Sequence, residues 1–534
     1  MKNHKFNVLF LATMATLCSQ PALAALNSYT HANGSTVVNI NQADANGLSH
    51  NMYQDFNVSS NGMVLNNSTT DLVRESGNIA RNSNLDKSAS LILNEVISKN
   101  TSSLNGFIEV AGQKADVIIA NPNGITCSGC SFINTGRATL TTGTPTFTDS
   151  ALTGFNVAKG TVTVKGNGLK GADYTDLLAQ KINIQGQIDT TQLKAIAGKY
   201  TYDLASGQAT TVGTNRVFGN TIDVSALGGA TAGIIQLQTT EAGAGVNNSG
   251  VLNATNLYIA SNGALTNSGT LQSGLVSATT GGNITNKGTL SASQALLQAS
   301  GSFTNNGTIK TTDAATIVSL GKISNSDKAQ INAAGAVNIV SLAGNIENKG
   351  TITTPKTLAM QTGYNTVNGV VTAVANTSLL NSGSIQAGNL SMNAVKEVSL
   401  LSGGEVTSQG TAYVSATKVS NAATLTAQNT AVMANEVSNQ GVMQATGLLN
   451  VSGKNGISNS GTMKAGTLTL ATDEKISNSS CLIWVLCSKG TMSADKITIT
   501  APKIAAIGDL DGNYTTQVLE LNKPAATPAT DTSL

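Results

Sequence analysis

NNSGVLNATNLYIASNGALTNSGTLQSGLVSATTGGNITNKGTLSASQALLQASGSFTNNGTIK, residues 247–310, repeats one short phrase four times. The copies are Asn248-Ser249-Gly250-Val251-Leu252, Asn267-Ser268-Gly269-Thr270-Leu271, Asn286-Lys287-Gly288-Thr289-Leu290 and Asn305-Asn306-Gly307-Thr308-Ile309. Their glycines are each 19 residues apart. Self-similarity at such a period marks a stack of repeats in which each unit covers its neighbour. Between the turns, apolar and small polar residues alternate, as in Leu257-Tyr258-Ile259-Ala260 and Ala336-Val337-Asn338-Ile339-Val340. Period two reads as strand. A repeat of this length holds about three short strands with their turns, which is one coil of a parallel β-helix.

Outward from that stretch, the phrase resumes at Asn348-Lys349-Gly350, Asn381-Ser382-Gly383, Asn439-Gln440-Gly441 and Asn459-Ser460-Gly461. With coils stacked ~4.8 Å apart, the roughly 480 residues after residue 24 predict on the order of 24 coils and a rod about 100 Å long. One coil alone buries too little to offset its backbone entropy, so stability must come from both neighbours. Glycine in the turn is expected to supply positive φ, with asparagine tolerating it. Stacked asparagines are expected to form amide ladders along the rod. These turns are read as structural; no recurring Asp accompanies the glycines, so they do not form a calcium motif.

Composition removes several function classes. Charged residues are 11% and aromatics 4%, with 54 Gly, 7 Pro and a single Trp. Disorder calls for fewer apolar residues than the 40% present and for more charge. Collagen calls for abundant Pro and a Gly every third residue. The formal charge of +2 comes from 30 basic and 28 acidic residues, and removal of Lys2 and Lys5 with a leader leaves 28 of each sign. A neutral chain lacks the counterion-release drive of a nucleic-acid binder. With His4, His31 and His50 as the only histidines, there is little material for a multi-histidine metal site or a Ser-His-Asp triad. No cofactor is expected.

Residues 1–24, MKNHKFNVLFLATMATLCSQPALA, read as a signal peptide: basic Lys2 and Lys5, an apolar stretch from Val8 to Leu17, and small-x-small Ala22-Leu23-Ala24. Cleavage is expected between Ala24 and Ala25. The apolar run is shorter than the ~20 residues a membrane span needs, and bulky Leu17 before Cys18 argues against a lipoprotein. Export through the Sec machinery follows. Four cysteines remain, as the local pairs Cys127/Cys130 and Cys481/Cys487. In an oxidising compartment they read as two small disulfide loops. The alternatives are a zinc site, which would need pairs some 350 residues apart to meet, and a thioredoxin-type motif, which needs a helix N-terminus where ITCSGCSFI reads as strand and turn.

Residues 25–245 lack the regular beat and carry more distinctive segments. Asn121-Pro122-Asn123-Gly124-Ile125 follows the apolar strand Val117-Ile118-Ile119-Ala120, and its residue types suit successive positions of a β-turn. Around it, in order, stand Ile92-Leu93-Asn94-Glu95-Val96, Leu104 to Gly112, and Phe132 to Gly143. This arrangement resembles the secretion domain of two-partner-secretion exoproteins, the family of filamentous haemagglutinins, contact-dependent inhibition effectors and secreted haemolysins. Val37-Val38-Asn39-Ile40 and the segments from Gly47 to Asn67 fit it as well. The family's second short motif, Asn-Pro-Asn-Gly-Ile, is intact at 121–125. The first, Asn-Pro-Asn-Leu, reads Asn82-Ser83-Asn84-Leu85 here; Ser83 in place of proline predicts a less rigid turn. The Cys127/Cys130 pair resembles the haemolysin and inhibition-effector branches more than the adhesin branch.

The resemblance implies an all-β fold: a right-handed parallel β-helix (solenoid) with an N-terminal cap and extra-helical hairpins. The expected domains are a signal peptide at 1–24, a secretion domain at 25–245, repeats of about 19–20 residues at 246–500 with a Cys-bounded insert at 481–487, and a C-terminal coil and disordered tail at 501–534. It also implies a β-barrel outer-membrane transporter as partner, passage through the periplasm of a Gram-negative cell, and a secreted or surface-held product. In the insert, Trp484 sits among bulky apolar residues between Cys481 and Cys487; the bland reading is a cap over the last coils, the sharper one a contact loop. The expected function is that of an adhesin or haemagglutinin-like protein binding a host-cell or bacterial surface receptor. The alternatives are a haemolysin-type exoprotein or a short or truncated inhibition effector, since no toxin domain and no C-terminal barrel follow the repeats. A β-helical polysaccharide-active enzyme is the remaining rival, and the scattered acids Glu347, Glu397 and Glu405 supply no clustered carboxylates for it.

Overall fold

A computed structural model describes residues 26–367, 370–483, 486–504 and 509–517. All regular structure among these residues is β-strand. Most strands join one continuous system of parallel pairings, and each strand bonds to its counterpart one coil earlier and one coil later. In the repeats a coil begins with a three-residue strand such as Leu265–Asn267, on the first face of the rod. After the Asn-x-Gly turn a longer strand, Thr270–Thr280, covers the second and third faces with a bend between them. Two coils on, the same path is two separate strands, Thr308–Thr311 and Ala315–Ser319. The chain is thus a parallel β-helix, as its alternation predicts.

Register places like residues over like. Leu252, Leu271, Leu290, Ile309, Ile331 and Ile352 form one inward column on the second face. Leu257, Val276, Ala295, Ala315, Val337 and Leu358 form another on the third. All are buried, and they belong to one apolar interior running from Val38 to Ala501. The stacking crosses residues 245 and 246 without interruption, since Gly229–Thr239 pairs in parallel with Val251–Ser261.

The repeat asparagines point inward and hydrogen-bond in series. Asn248 Nδ2 donates to Asn267 Oδ1, Asn267 to Asn286, and Asn286 to Asn305, each at 2.8 Å. The line continues through Asn325 and Asn348 to Asn381. It then breaks at Leu400, which occupies the register position between Asn381 and Asn421. A second line runs Asn421, Asn439, Asn459, Asn478. Buried amides demand partners, and the coil above and the coil below supply them.

The glycines of these turns differ from expectation. None of Gly250, Gly269, Gly288 or Gly307 has positive φ. They are required for a different reason: a Cβ on Gly269, Gly288 or Gly307 would run into the carbonyl oxygen of the equivalent glycine one coil earlier. That same oxygen accepts the next coil's N–H, as when Thr289 N donates to Gly269 O at 2.9 Å. Coil spacing, not backbone conformation, excludes the side chain.

The N-terminal coils are longer than the repeat predicts, so the rod has fewer windings than chain length divided by 19. On the third face, Leu48 pairs with Leu91, 43 residues on, and Leu91 with Asp116. The extra length goes into structure outside the helix. Ser28–Thr30 pairs antiparallel with Thr36–Asn39 at the N-terminal end. Thr144–Thr148, Ala151–Val157, Tyr200–Asp203 and Ala209–Thr211 form a four-stranded antiparallel sheet. This sheet lays Phe155, Val157, Tyr200 and Tyr202 against outward-facing Leu48, Leu93, Ile118, Leu178 and Ile196. Two further hairpins leave the rod, Tyr364–Val367 with Val370–Ala373 and Ser479–Ile483 with Leu486–Lys489.

Candidate functional site

The two short motifs fold into the same turn at two corners of the N-terminal coils. Asn121 is fully buried at the end of Ala115–Ala120. Its Oδ1 accepts the N–H of Asn123 at 3.0 Å, and its carbonyl accepts the N–H of Gly124 at 3.0 Å. Its Nδ2 donates to Asn100 O and Ser102 Oγ in the preceding coil, at 3.0 and 2.9 Å. Asn123 adds a bond to Ser98 O, and Ile125 enters the core. Here Gly124 does take positive φ, +122°. One asparagine therefore closes the turn and ties it to the coil before, as a short amide side chain can.

At the first motif Asn82, also buried, repeats each element. Its Oδ1 accepts Asn84 N at 3.0 Å, its carbonyl accepts Leu85 N at 3.1 Å, and its Nδ2 donates to Ile40 O and Asn66 O at 2.9 Å. Leu85 is buried. Ser83 is exposed at the position Pro122 takes in the second turn. The missing proline has not changed the turn, because the Asn82 side chain holds it from inside.

Cys127 and Cys130 form a disulfide, with both sulfurs inside the rod. Gly129 between them has φ +80°. The bridge spans the corner where Ile125–Ile133 passes from the first face to the second, opposite the irregular register at Lys165–Leu169. Cys481 and Cys487 stand opposite one another in the outer hairpin, while their side chains, like Trp484, lie outside the described residues. The hairpin splits an Asn-x-Gly turn: Gly490 N donates to Asn478 O at 2.8 Å, and Asn478 Nδ2 donates to Gly490 O at 3.0 Å. The rod then continues, with Thr491–Thr500 stacked on Thr462–Ala471 and Asp509–Gln517 stacked after it. The hairpin thus leaves the rod from within the stack, ahead of these strands. Ala24, Ala25 and the tail from 518 lie outside the described residues.

Sequence reading missed a charged cluster under the edge of the four-stranded sheet. Arg137 Nη1 donates to both carboxylate oxygens of buried Asp176, at 3.1 and 2.8 Å, and its guanidinium lies 4.9 Å from the Tyr174 ring centroid. Burial opposes the Arg137 charge, but Asp176 and then Asp116 raise its pKa on balance. Lys194 Nζ sits 3.5 Å from Tyr202 Oη. Burial, then the Asp176 charge, pushes the Tyr202 phenol up to about 12. These residues are spaced irregularly along the chain, so no period or motif marks them; only the register of the third face, Thr139–Asp176–Lys194, brings them together.

The N-terminal half of the chain is similar to known proteins. Residues 19–273 match the family model described as TPS secretion domain. "Toxin CdiA" of Yersinia pestis is 39% identical over 280 residues, covering 49% of this chain and 8% of that protein. "tRNA nuclease CdiA" of Yersinia mollaretii is 43% identical over 242 residues, covering 44% and 8%. The crystal structure of a filamentous hemagglutinin secretion domain is 28% identical, covers 62% of this chain and 93% of its own, and gives a TM-score of 0.42. The chain carries a two-partner-secretion domain over residues 19–273, just under half of its length. It spans under a tenth of the length of the curated relatives it matches.

Proposed function

We propose that this chain is a two-partner-secretion exoprotein, exported through a cognate β-barrel transporter of the outer membrane, whose rod then acts at the cell surface as an adhesin-like binding protein. The observation that carries the export reading is the secretion-domain match over the coils that hold both motif turns. The fold suits it. After the first coil, the described strands of the rod stack on the coil just before them, so structure can propagate from the N-terminal end as chain emerges. A folded coil cannot slide back through a pore, which biases movement outward without ATP. The Cys127–Cys130 bridge closes a loop small enough to accompany an extended chain.

The adhesive part rests on the rod's neutral outer faces, rich in Thr, Ser, Asn and Gln. The reading includes no catalysis. Glu347 pairs with Lys322 at 2.7 Å, and Glu397 accepts from Ser420, so these two acids are spent on neighbouring coils. A second reading, the stalk of a contact-dependent inhibition effector, is favoured by the relatives bearing toxin and nuclease names. The test is secretion of the full chain with and without the transporter, followed by binding of the released protein to cells. Equal release in both strains would refute the export reading. Release without cell binding would refute the adhesive one and favour the stalk.

A further inference from the structure

The charged cluster lines a cavity of about 380 Å³ between the third face of the rod and the Leu204–Gly207 turn of the outer sheet. Its floor holds Asp116 and Arg137 at the register irregularity between Thr135 and Ala138, and Thr139, Asp176 and Lys194 in one register row. Arg137 engages Asp176 through Nη1 alone among the described residues, leaving the rest of its fork unused. Lys194 has no carboxylate within ion-pair distance among those residues. Its ammonium faces Gly207, where a Cβ would stand 3.0 Å from Nζ. Asp116 accepts Arg137 N through Oδ1 at 2.8 Å. Tyr202 and Ile118 supply apolar wall beside these groups.

The charges select among ligands. Two cations face two carboxylates, so the cavity is neutral overall and disfavours a dianion such as phosphate. Lys194 and the free side of Arg137 offer donors to one carboxylate. Asp116 offers an acceptor to hydroxyl groups, and the Tyr202 ring offers a face to C–H surface. A monoanion that also carries hydroxyls and an apolar face meets all of these demands. We propose that this cavity is a binding subsite for one carboxylate-bearing sugar unit, a uronate. The proposal deepens the surface-binding reading, on which its biological use rests, by naming the class of receptor; the cavity itself is independent of that reading.

The experiment titrates the full secreted chain with galacturonate, with galactose as the neutral control and inorganic phosphate as the dianion. Saturable galacturonate binding is expected, with galactose at least 10-fold weaker and phosphate failing to compete. Lys194→Gln should weaken galacturonate at least 10-fold. Tyr202→Phe, which keeps the ring but removes the hydroxyl that accepts from Lys194 Nζ at 3.5 Å and helps hold that ammonium in the cavity, should weaken it several-fold and serves where Lys194→Gln fails to fold. Equal binding of galactose, tighter binding of phosphate, or full-strength galacturonate binding by a folded variant overturns the proposal. If galacturonate binds as expected but the protein ignores cells, the adhesive reading fails and the subsite stands. If the protein binds cells and galacturonate leaves that binding and the titration unmoved, the subsite fails and the adhesive reading stands.

Discussion

Asn305→Leu tests whether the amide line holds the rod together. Leu fits this position sterically, because Leu400 already fills it in a later coil and is buried there. The cost should therefore be one of hydrogen bonds. Asn305 accepts from Asn286 at 2.8 Å and donates to Asn325 Oδ1 at 2.9 Å and Gln330 O at 3.1 Å. Removing it strands a donor above and acceptors below, each costing about 1–3 kcal/mol when buried. Asn286 Nδ2 keeps longer contacts to Gly288 O and Thr308 O, which softens its loss. Gained apolar burial returns about 2 kcal/mol. The net should be about 1–3 kcal/mol of local destabilisation. Because a stacked repeat does not unfold as one unit, the assay is amide hydrogen exchange resolved by peptide. Exchange across residues 284–333 should speed up by roughly 5- to 150-fold, and peptides beyond the adjoining coils should be unchanged. The reverse change, Leu400→Asn, joins the two lines and trades apolar burial for new amide bonds, so it should fall within about 1 kcal/mol of the wild type. If Asn305→Leu leaves exchange untouched, or Leu400→Asn is the more damaging of the two, the amide line is not a support of the interior.

Gly288→Ala should destabilise its coil by about 3 kcal/mol, because its Cβ meets the unyielding Gly269 carbonyl; hydrogen exchange or a drop in melting temperature reads this. Ser83→Pro should stabilise the N-terminal coils by about 0.4–1 kcal/mol, since Pro122 shows that the ring fits the same turn; an unchanged or lowered denaturation midpoint would count against the equivalence of the two turns. Asn121→Ala removes the bonds to Asn100 O, Ser102 Oγ and Asn123 N and should cost about 2–4 kcal/mol, with a matching fall in secreted protein at constant intracellular level.

Much of this was legible in the sequence, because the repeat writes packing directly into spacing. A fixed interval between glycines gives the coil, alternation gives the inward columns, and a recurring asparagine gives the amide line. The glycines themselves were misread. In sequence, a glycine needed for positive φ and one needed for close approach look the same, and only coil-to-coil distance separates them. Gly124 is of the first kind and Gly288 of the second. The inner support of the first motif was not legible either, since a proline's effect is local and visible in the text, whereas the reach of Asn82 to Ile40 and Asn66 is neither. The outer sheet and the cavity beneath it were illegible for the same reason: Asp116, Arg137, Asp176 and Lys194 share a face only once the lengths of the intervening excursions are known.

The motif turns and the repeat turns solve one problem in two ways. Each must close a corner and join it to the coil before, without water to satisfy the buried amides. In the repeats, an asparagine bonds to the same residue one coil away, which works only if every coil carries it in register. In the N-terminal coils the excursions destroy that register, so Asn82 and Asn121 instead bond to main-chain carbonyls, which any preceding coil offers. An irregular start can thus be built without a template and then present a regular edge. Asn248 is where the change falls: it donates down the line to Asn267, while above it stands Val224, and its own Oδ1 is buried without a partner among the described residues. The amide line therefore begins at Asn248, on top of a stack that has already been completed by other means.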